Sequence, residues 1–76
     1  MDMRRLVGRN VQRLRLQAGL TQEQLSVKSG FGQNYLSGLE KGRRNPTVLT
    51  LHQLAEALDT TPVVLITPDK DAAVEG

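Results

Sequence analysis

The sequence predicts an all-α domain organised around two short helices between Thr21 and Gly42. Two observations lead to this prediction. In two longer segments, apolar residues recur every three or four positions, which is the spacing of one face of an α-helix. Between these segments, a capping sequence and glycines divide the chain into two short helices joined by a tight turn, the arrangement typical of a helix-turn-helix unit.

The first short helix begins at a capping box. Thr21 is followed three residues later by Gln24, ahead of the apolar Leu25. In this pattern each of the two side chains bonds to the backbone N–H of the other residue. We expect the helix to run to about Ser29, where Gly30 ends it.

The second short helix, the recognition helix, is predicted from Gln33 to about Lys41, with Gly42 as its C-terminal cap. In a helix-turn-helix unit, residues at the start of the second helix contact base edges in the major groove. Gln and Asn suit this role because their amides pair with adenine through two hydrogen bonds. We therefore expect base contacts from three residues of the polar face: Gln33, Asn34 and Ser37.

Charge is distributed unevenly along the chain. The net charge is +2, but residues 3–45 hold nine Lys/Arg and two Glu, whereas residues 46–76 hold one Lys and five acidic residues. A one-sided polyanion binder would have this distribution, and so would a basic solvated surface without a partner. The first helix, predicted over residues 3–18, carries several arginines that we interpret mainly as solvated.

Two further helices are predicted after the recognition helix. Pro46 is placed to begin the first of them, which runs to Leu58, because a proline is tolerated in the first turn of a helix. Its expected core stripe includes Val48. A short last helix is predicted over residues 62–66, with Ile66 among the residues that close the core.

Residues 8–66 resemble the phage-repressor and Cro-type (XRE-like) helix-turn-helix family. The resemblance implies a compact five-helix, lambda-repressor-like DNA-binding domain with the helix-turn-helix at helices two and three. It covers nearly the whole chain and rests on an ordered set of residues. The matching residues are Gly8, Leu14-Arg15, Gly19-Leu20-Thr21-Gln22-Glu23-Gln24-Leu25, Gly30, Leu36-Ser37, Leu39-Glu40-Lys41-Gly42, Asn45-Pro46, Leu54-Ala55 and Leu58.

The resemblance also implies roles for individual positions. It implies that Arg15 and Glu40 form a structural ion pair that joins the first helix to the recognition helix. It implies that Gln22 contacts a phosphate, which the free N–H groups and the dipole of a helix start also favour. It further implies an amide–amide hydrogen bond from Gln22 to Gln33. Relatives often have a long polar residue where this chain has Gly38.

Further phosphate contacts are expected around the recognition helix. The basic residues that follow this helix form the most concentrated positive charge in the chain and should lie beside the same groove. Tyr35 lies on the flank, where its hydroxyl can reach a phosphate or its ring can pack on the domain edge. Besides Gln22, the expected phosphate-contacting residues are Tyr35, Lys41, Arg43, Arg44 and Thr47.

A candidate dimer interface lies on the last two helices. Leu49, Val63 and Val64 are apolar at positions where relatives often have polar or other residues. Exposed apolar patches tend to mark interfaces, and paired helix-turn-helix units read inverted repeats about one helical turn apart. We therefore expect a homodimer on double-stranded DNA.

Composition argues against several other classes of protein. The chain has no Cys and one His, so we expect no metal site, no cofactor and no catalytic residue. No apolar run approaches the roughly 20 residues that span a bilayer, and the first residues lack the apolar segment of a signal peptide. We therefore expect a cytoplasmic protein with one domain over residues 1–66 and a polar, disordered tail over residues 67–76.

The sequence thus favours a small transcriptional regulator, either a repressor or a controller protein, that reads an inverted-repeat operator. The alternative is an antitoxin-type interaction protein that neutralises a partner and binds DNA secondarily. Possible protein partners are therefore a toxin or a polymerase. The sequence does not separate activation from repression.

Overall fold

The computed structural model describes residues 2–68 of the 76-residue chain. This part of the chain contains five α-helices and no strand, which confirms the all-α prediction. None of these helices combines the length and the apolar character that a bilayer-crossing segment needs. Of the tail predicted to be disordered, residues 67–76, all but the first two residues lie outside the described part of the chain. The helices are α1 (Met3–Gln17), α2 (Gln22–Ser29), α3 (Gln33–Glu40), α4 (Val48–Ala57) and α5 (Pro62–Leu65).

The hydrophobic core is built from one face of every helix. Its centre consists of leucine side chains and one valine that are fully buried, and burial of each such side chain stabilises the fold by about 1.5–3 kcal/mol. Partly buried residues, Leu14 and Leu51 among them, pack against this centre. The fully buried apolar residues are Val11, Leu25, Leu36, Leu39, Leu54 and Leu65.

Helices α1 and α3 approach each other closely at Gly8. A Cβ atom at this position would collide with the carbonyl oxygen of Leu39 and would lie 2.9 Å from that of Glu40. Both obstacles are backbone atoms near the end of α3, so a rotamer change cannot relieve the contact. The absence of a side chain at Gly8 therefore sets how close the recognition helix lies to α1.

Helix α4 begins two residues later than predicted. Thr47 is its N-cap, and the Thr47 hydroxyl accepts a hydrogen bond from the Thr50 N–H at 3.1 Å. Pro46 therefore precedes the helix, and its assignment as the first helical residue was wrong. Val48 is also not a core residue, since it is 77% exposed. The Thr47 cap satisfies a free N–H of the first turn, and its backbone is extended, so Pro46 before it lies outside the helix.

Helix α5 is held against α1 by a buried amide. The side-chain nitrogen of Asn10 donates to the backbone carbonyls of Val64, Leu65 and Thr67 at 3.3, 2.9 and 3.0 Å. Asn10 is 1% exposed, so these bonds satisfy both the buried amide and the free carbonyls of the helix end. Ile66, which was expected in the core, is 42% exposed.

The turn between α4 and α5 contains a left-handed residue that is not glycine. Asp59 has a φ of 55°. This conformation brings Cβ of an L-residue close to the backbone, and Asp tolerates it better than most residues. The turn thus keeps its shape at some cost in backbone strain.

Candidate nucleic-acid interface

The helix-turn-helix is formed by α2, the turn at residues 30–32 and α3. The predicted capping box is present, because the Thr21 hydroxyl accepts from the Gln24 N–H at 3.1 Å and the Gln24 side chain accepts from the Thr21 N–H at 2.9 Å. Gly30 ends α2 with a φ of +83°, a left-handed value that favours glycine. Gly32 is the N-cap of α3.

Three side-chain hydrogen bonds fix the turn between α2 and α3. The Ser26 hydroxyl donates to the Phe31 carbonyl at 2.5 Å, and the Ser29 hydroxyl accepts from the Phe31 N–H at 3.2 Å. From α4, the Gln53 amide donates to the Ser29 carbonyl at 2.6 Å. Sequence analysis did not identify these roles. The serines could have been recognised as residues that bond locally to the backbone, whereas Gln53 is 24 positions away from its acceptor.

An ion pair joins α1 to the recognition helix. Arg15 Nε and Nη2 donate to the two carboxylate oxygens of Glu40 at 2.7 and 3.0 Å, and Nη1 donates to the Leu20 carbonyl at 2.8 Å. Both residues are 8% exposed. A bidentate pair of this kind fixes the relative orientation of its two side chains as well as their distance.

Gln22 extends this network to the surface. Its Nε2 donates to Glu40 Oε1 at 3.1 Å. The hydrogen bond to Gln33 that the resemblance implied is not present among the described residues, where the side-chain bond of Gln22 goes to the buried carboxylate. The second N–H of that amide stays available to an anion at the start of α2, where the helix dipole favours negative charge.

The predicted base-contacting residues share the outer face of α3. Gln33 and Asn34 are exposed and Ser37 is half-buried. Among the described residues, no hydrogen bond links these three side chains to the rest of the domain, although amides and hydroxyls both donate and accept. Their hydrogen-bonding groups are therefore free to meet base edges.

A basic concavity lies beside this face. It is open to solvent and has a volume of about 430 Å³. Cationic side chains from the loop after α3 line it together with the outer face of the helix itself. Its lining residues are Asn34, Ser37, Gly38, Lys41, Arg43 and Arg44.

One of the residues that line this concavity, Arg44, packs on a pair of stacked aromatic rings. The rings of Phe31 and Tyr35 stack with centroids 5.4 Å apart, and the guanidinium carbon of Arg44 lies 5.5 Å from the Tyr35 ring centre. The Arg44 side chain also covers Gly38, because its Nε is 3.0 Å from the place a Cβ would occupy there. Tyr35 is half-buried by this packing.

Comparison with known proteins identifies the family. A helix-turn-helix family model matches residues 11–65, most of the chain. The chain belongs to the helix-turn-helix family.

Individual relatives of this helix-turn-helix protein are regulators. An uncharacterised helix-turn-helix transcriptional regulator of Sinorhizobium fredii is 62% identical over 68 residues, which cover 90% of this chain and 88% of the relative. The restriction–modification controller protein C.AhdI from Aeromonas hydrophila is 37% identical with a TM-score of 0.78, over 82% of this chain and 94% of that one.

A third relative was crystallised with DNA. The controller protein C.Esp1396I, solved as a tetramer in complex with its natural 35 base-pair operator, is 32% identical to this helix-turn-helix chain with a TM-score of 0.78. The match covers 86% of each chain. These relatives place the fold among transcriptional regulators and controller proteins.

The candidate dimer residues lie on the surface of the helix-turn-helix domain, on α4 and α5. Leu49 and Val63 are 78% and 66% exposed, and Val64 is 37% exposed. Exposed aliphatic side chains of this size leave apolar area in water, which a second surface can cover.

Within residues 2–68, no group of His, Asp or Glu side chains is arranged to hold a metal ion. His52 instead lies 3.0 Å from the Glu56 carboxylate on the same face of α4, one turn away.

Proposed function

We propose that this protein is a sequence-specific, double-stranded DNA-binding transcriptional regulator that reads an inverted-repeat operator as a homodimer. The observation that carries the proposal is the outer face of α3. Its amide and hydroxyl groups have no hydrogen-bonding partner among the described residues, and they lie beside a basic concavity on a helix-turn-helix domain.

Base readout is assigned to the start of α3. Gln33 and Asn34 carry the amide groups that pair with the N6 and N7 atoms of adenine, and Ser37 follows them on the same face. The other assigned contacts position the domain on the sugar–phosphate backbone without reading sequence. These phosphate contacts are assigned to Gln22, Tyr35, Lys41, Arg43 and Thr47, and sequence analysis predicts a further one from Arg44.

The interface of the proposed homodimer is assigned to Leu49, Val63 and Val64. Their exposure supports an interface at α4 and α5, and the tetrameric operator complex of C.Esp1396I supports DNA binding by more than one copy. Two-fold symmetry in such a dimer would match an inverted repeat, because each copy reads one half-site.

The proposed regulator needs no enzymatic chemistry, metal or cofactor to act. Its cytoplasmic location stays a prediction. The three relatives described above are regulators or controller proteins, which supports this function over the antitoxin alternative. No observation favours a toxin or a polymerase as the protein partner.

Selection from a pool of random duplexes tests the proposal. We expect the bound fraction to be enriched in an inverted repeat, and the enrichment to be lost in Gln33→Ala and Asn34→Ala. Gln12→Ala is the matched control, since it removes an exposed amide from α1 instead of α3. A wild-type protein that enriches no sequence and whose binding only fades with salt would overturn sequence-specific regulation.

A further inference from the structure

We infer that Arg44 is a base-reading residue of this domain, and that Gly38 is the place on the recognition helix where its side chain enters the groove. This inference rests on the proposed function and deepens it. Arg44 follows α3 in the loop, and sequence analysis assigned it to the phosphate backbone with its neighbours. The structure places its side chain across the outer face of α3.

The first step is the position of the Arg44 side chain. A Cβ added at Gly38 would have Nε, Cγ and Cδ of Arg44 as its nearest neighbours outside the helix backbone, at 3.0, 3.5 and 3.8 Å. The aliphatic stem and the start of the guanidinium therefore lie directly on the outer surface of α3. Arg44 therefore occupies the space on the surface of α3 that a side chain at position 38 would fill.

The second step is how Arg44 is held there. Its guanidinium carbon is 5.5 Å from the centre of the Tyr35 ring, and that ring is itself stacked on Phe31. Cation–π contacts of this kind favour arginine and restrict the orientation of its planar group. The guanidinium is thus partly pre-organised before DNA arrives.

The third step is what the guanidinium faces. Arg44 lines the same concavity as Asn34 and Ser37, which are the proposed base-contacting residues. An arginine that enters the major groove beside them can donate two hydrogen bonds to O6 and N7 of guanine, the commonest base-specific contact in protein–DNA complexes. The face of α3 would then combine adenine-pairing amides with a guanine-pairing guanidinium from the loop.

Lys41 and Arg43 provide the contrast. They line the rim of the concavity and are exposed, and neither is found against Gly38 or an aromatic ring in the described part of the chain. We assign them to phosphates, for which a lysine and an arginine both serve. A guanine contact differs because it needs the planar, two-pronged donor of arginine.

The experiment is a selection from random duplexes by the full chain and four variants. Arg44→Lys retains the positive charge but removes the planar guanidinium with its paired donors. Arg4→Lys is the matched control, since it makes the same change at an exposed arginine of α1 that has no assigned DNA contact. Arg44→Ala removes both the charge and the guanidinium, and Gly38→Ala introduces the methyl group that Arg44 must move to accommodate. Circular dichroism melts of every variant show that each one is folded.

We expect the wild type to prefer a guanine at one position in each half-site. Arg44→Lys and Arg44→Ala should lose that preference about tenfold or more, with the other positions unchanged, whereas Arg4→Lys should leave the motif intact. Gly38→Ala should change the preference at the same position without lowering the melting temperature. Replacing that guanine with 7-deazaguanine, which lacks the N7 acceptor, should weaken binding of the wild type and leave Arg44→Ala unaffected.

Two other outcomes are distinguishable. If the wild type enriches an operator but Arg44→Lys and Arg44→Ala keep every base preference, Arg44 is a phosphate contact and this inference is overturned, while the proposed function stands. If the wild type enriches no sequence, the proposed function fails and base reading by Arg44 fails with it.

Discussion

The two faces of helix α3 differ in how their polar groups are satisfied. On the inner side, Glu40 accepts three hydrogen bonds, two from Arg15 and one from Gln22, and it is nearly inaccessible to solvent. On the outer side, the side chains of Gln33 and Asn34 are exposed and have no hydrogen bond within the described domain. The helix is therefore fixed by one face and left chemically open on the other.

This contrast separates stability from recognition within eight residues. Changes on the inner face should unfold the domain, and DNA binding should fall only as the folded fraction falls. Changes on the outer face should weaken binding and leave the free energy of unfolding almost unchanged. The following variants are ordered by the size of the effect that we expect.

Glu40→Ala should have the largest effect. It leaves the buried Arg15 guanidinium without its carboxylate, which costs on the order of 3–5 kcal/mol of the free energy of unfolding. Urea unfolding followed by circular dichroism measures this loss. Glu23→Ala is the control, since Glu23 is exposed, and it should change stability by no more than about 0.5 kcal/mol. A similar loss in both variants would mean that the ion pair contributes nothing particular to the fold.

Gly8→Ala and Gly38→Ala make the same chemical change in two helices with opposite expected results. At Gly8 the new methyl group meets the backbone of α3, so the free energy of unfolding should fall by about 1–3 kcal/mol. At Gly38 the nearest atoms belong to the flexible Arg44 side chain, so helix propensity should raise stability by up to roughly 1 kcal/mol. Thermal melts of the two variants side by side test the pair. Equal shifts would show that the α1–α3 approach is not close enough to exclude a methyl group.

Asn34→Ala should leave the melting temperature unchanged and weaken binding to the selected operator. The expected loss is about 1–3 kcal/mol for one two-pronged base contact, and a fluorescence-anisotropy titration at fixed salt measures it. The loss of binding free energy caused by Asn34→Ala should be smaller on duplexes in which the base pair that Asn34 reads has been replaced. Equal losses on every duplex would reassign Asn34 to the phosphate backbone.

Asp59→Gly should have the smallest effect, and it lies outside both faces. Glycine adopts the left-handed φ of 55° without strain, but it also gains freedom in the unfolded chain. We expect a net gain in stability of about 0.5 kcal/mol, which calorimetry can resolve, with operator affinity unchanged. A loss of stability would mean that the Asp59 side chain stabilises the turn by more than its backbone costs.

Sequence analysis succeeded where the physical cause is local. The capping box at Thr21 and the stop at Gly42 depend on residues within a few positions of one another, and both are present in the structure. The start of α4 was mispredicted because Pro46 and Thr47 are both plausible start signals, and the sequence does not show which one the chain uses. Val48 fits the apolar spacing of α4, yet the first turn of that helix extends beyond the core.

The roles that were missed depend on distant residues. Gly8 was recognised as part of a family pattern. The structure shows why a side chain is excluded there, since a Cβ would meet a backbone carbonyl 31 positions later, on a neighbouring helix. The partners of the Asn10 amide are 54 to 57 positions away. Arg44 was grouped with Lys41 and Arg43 by charge, because nothing in the sequence says that its side chain folds back over a glycine.

The Asn10 amide has a consequence for spacing along DNA. It bonds the end of α5 to the middle of α1, and the Arg15–Glu40 pair bonds α1 to α3. The proposed dimer residues and the proposed reading residues thus belong to one rigid unit. In such a dimer, the angle between the two reading helices about the DNA axis is set by the protein. Because one added base pair turns a half-site by about 35°, an operator lengthened by one base pair at its centre presents its second half-site out of phase.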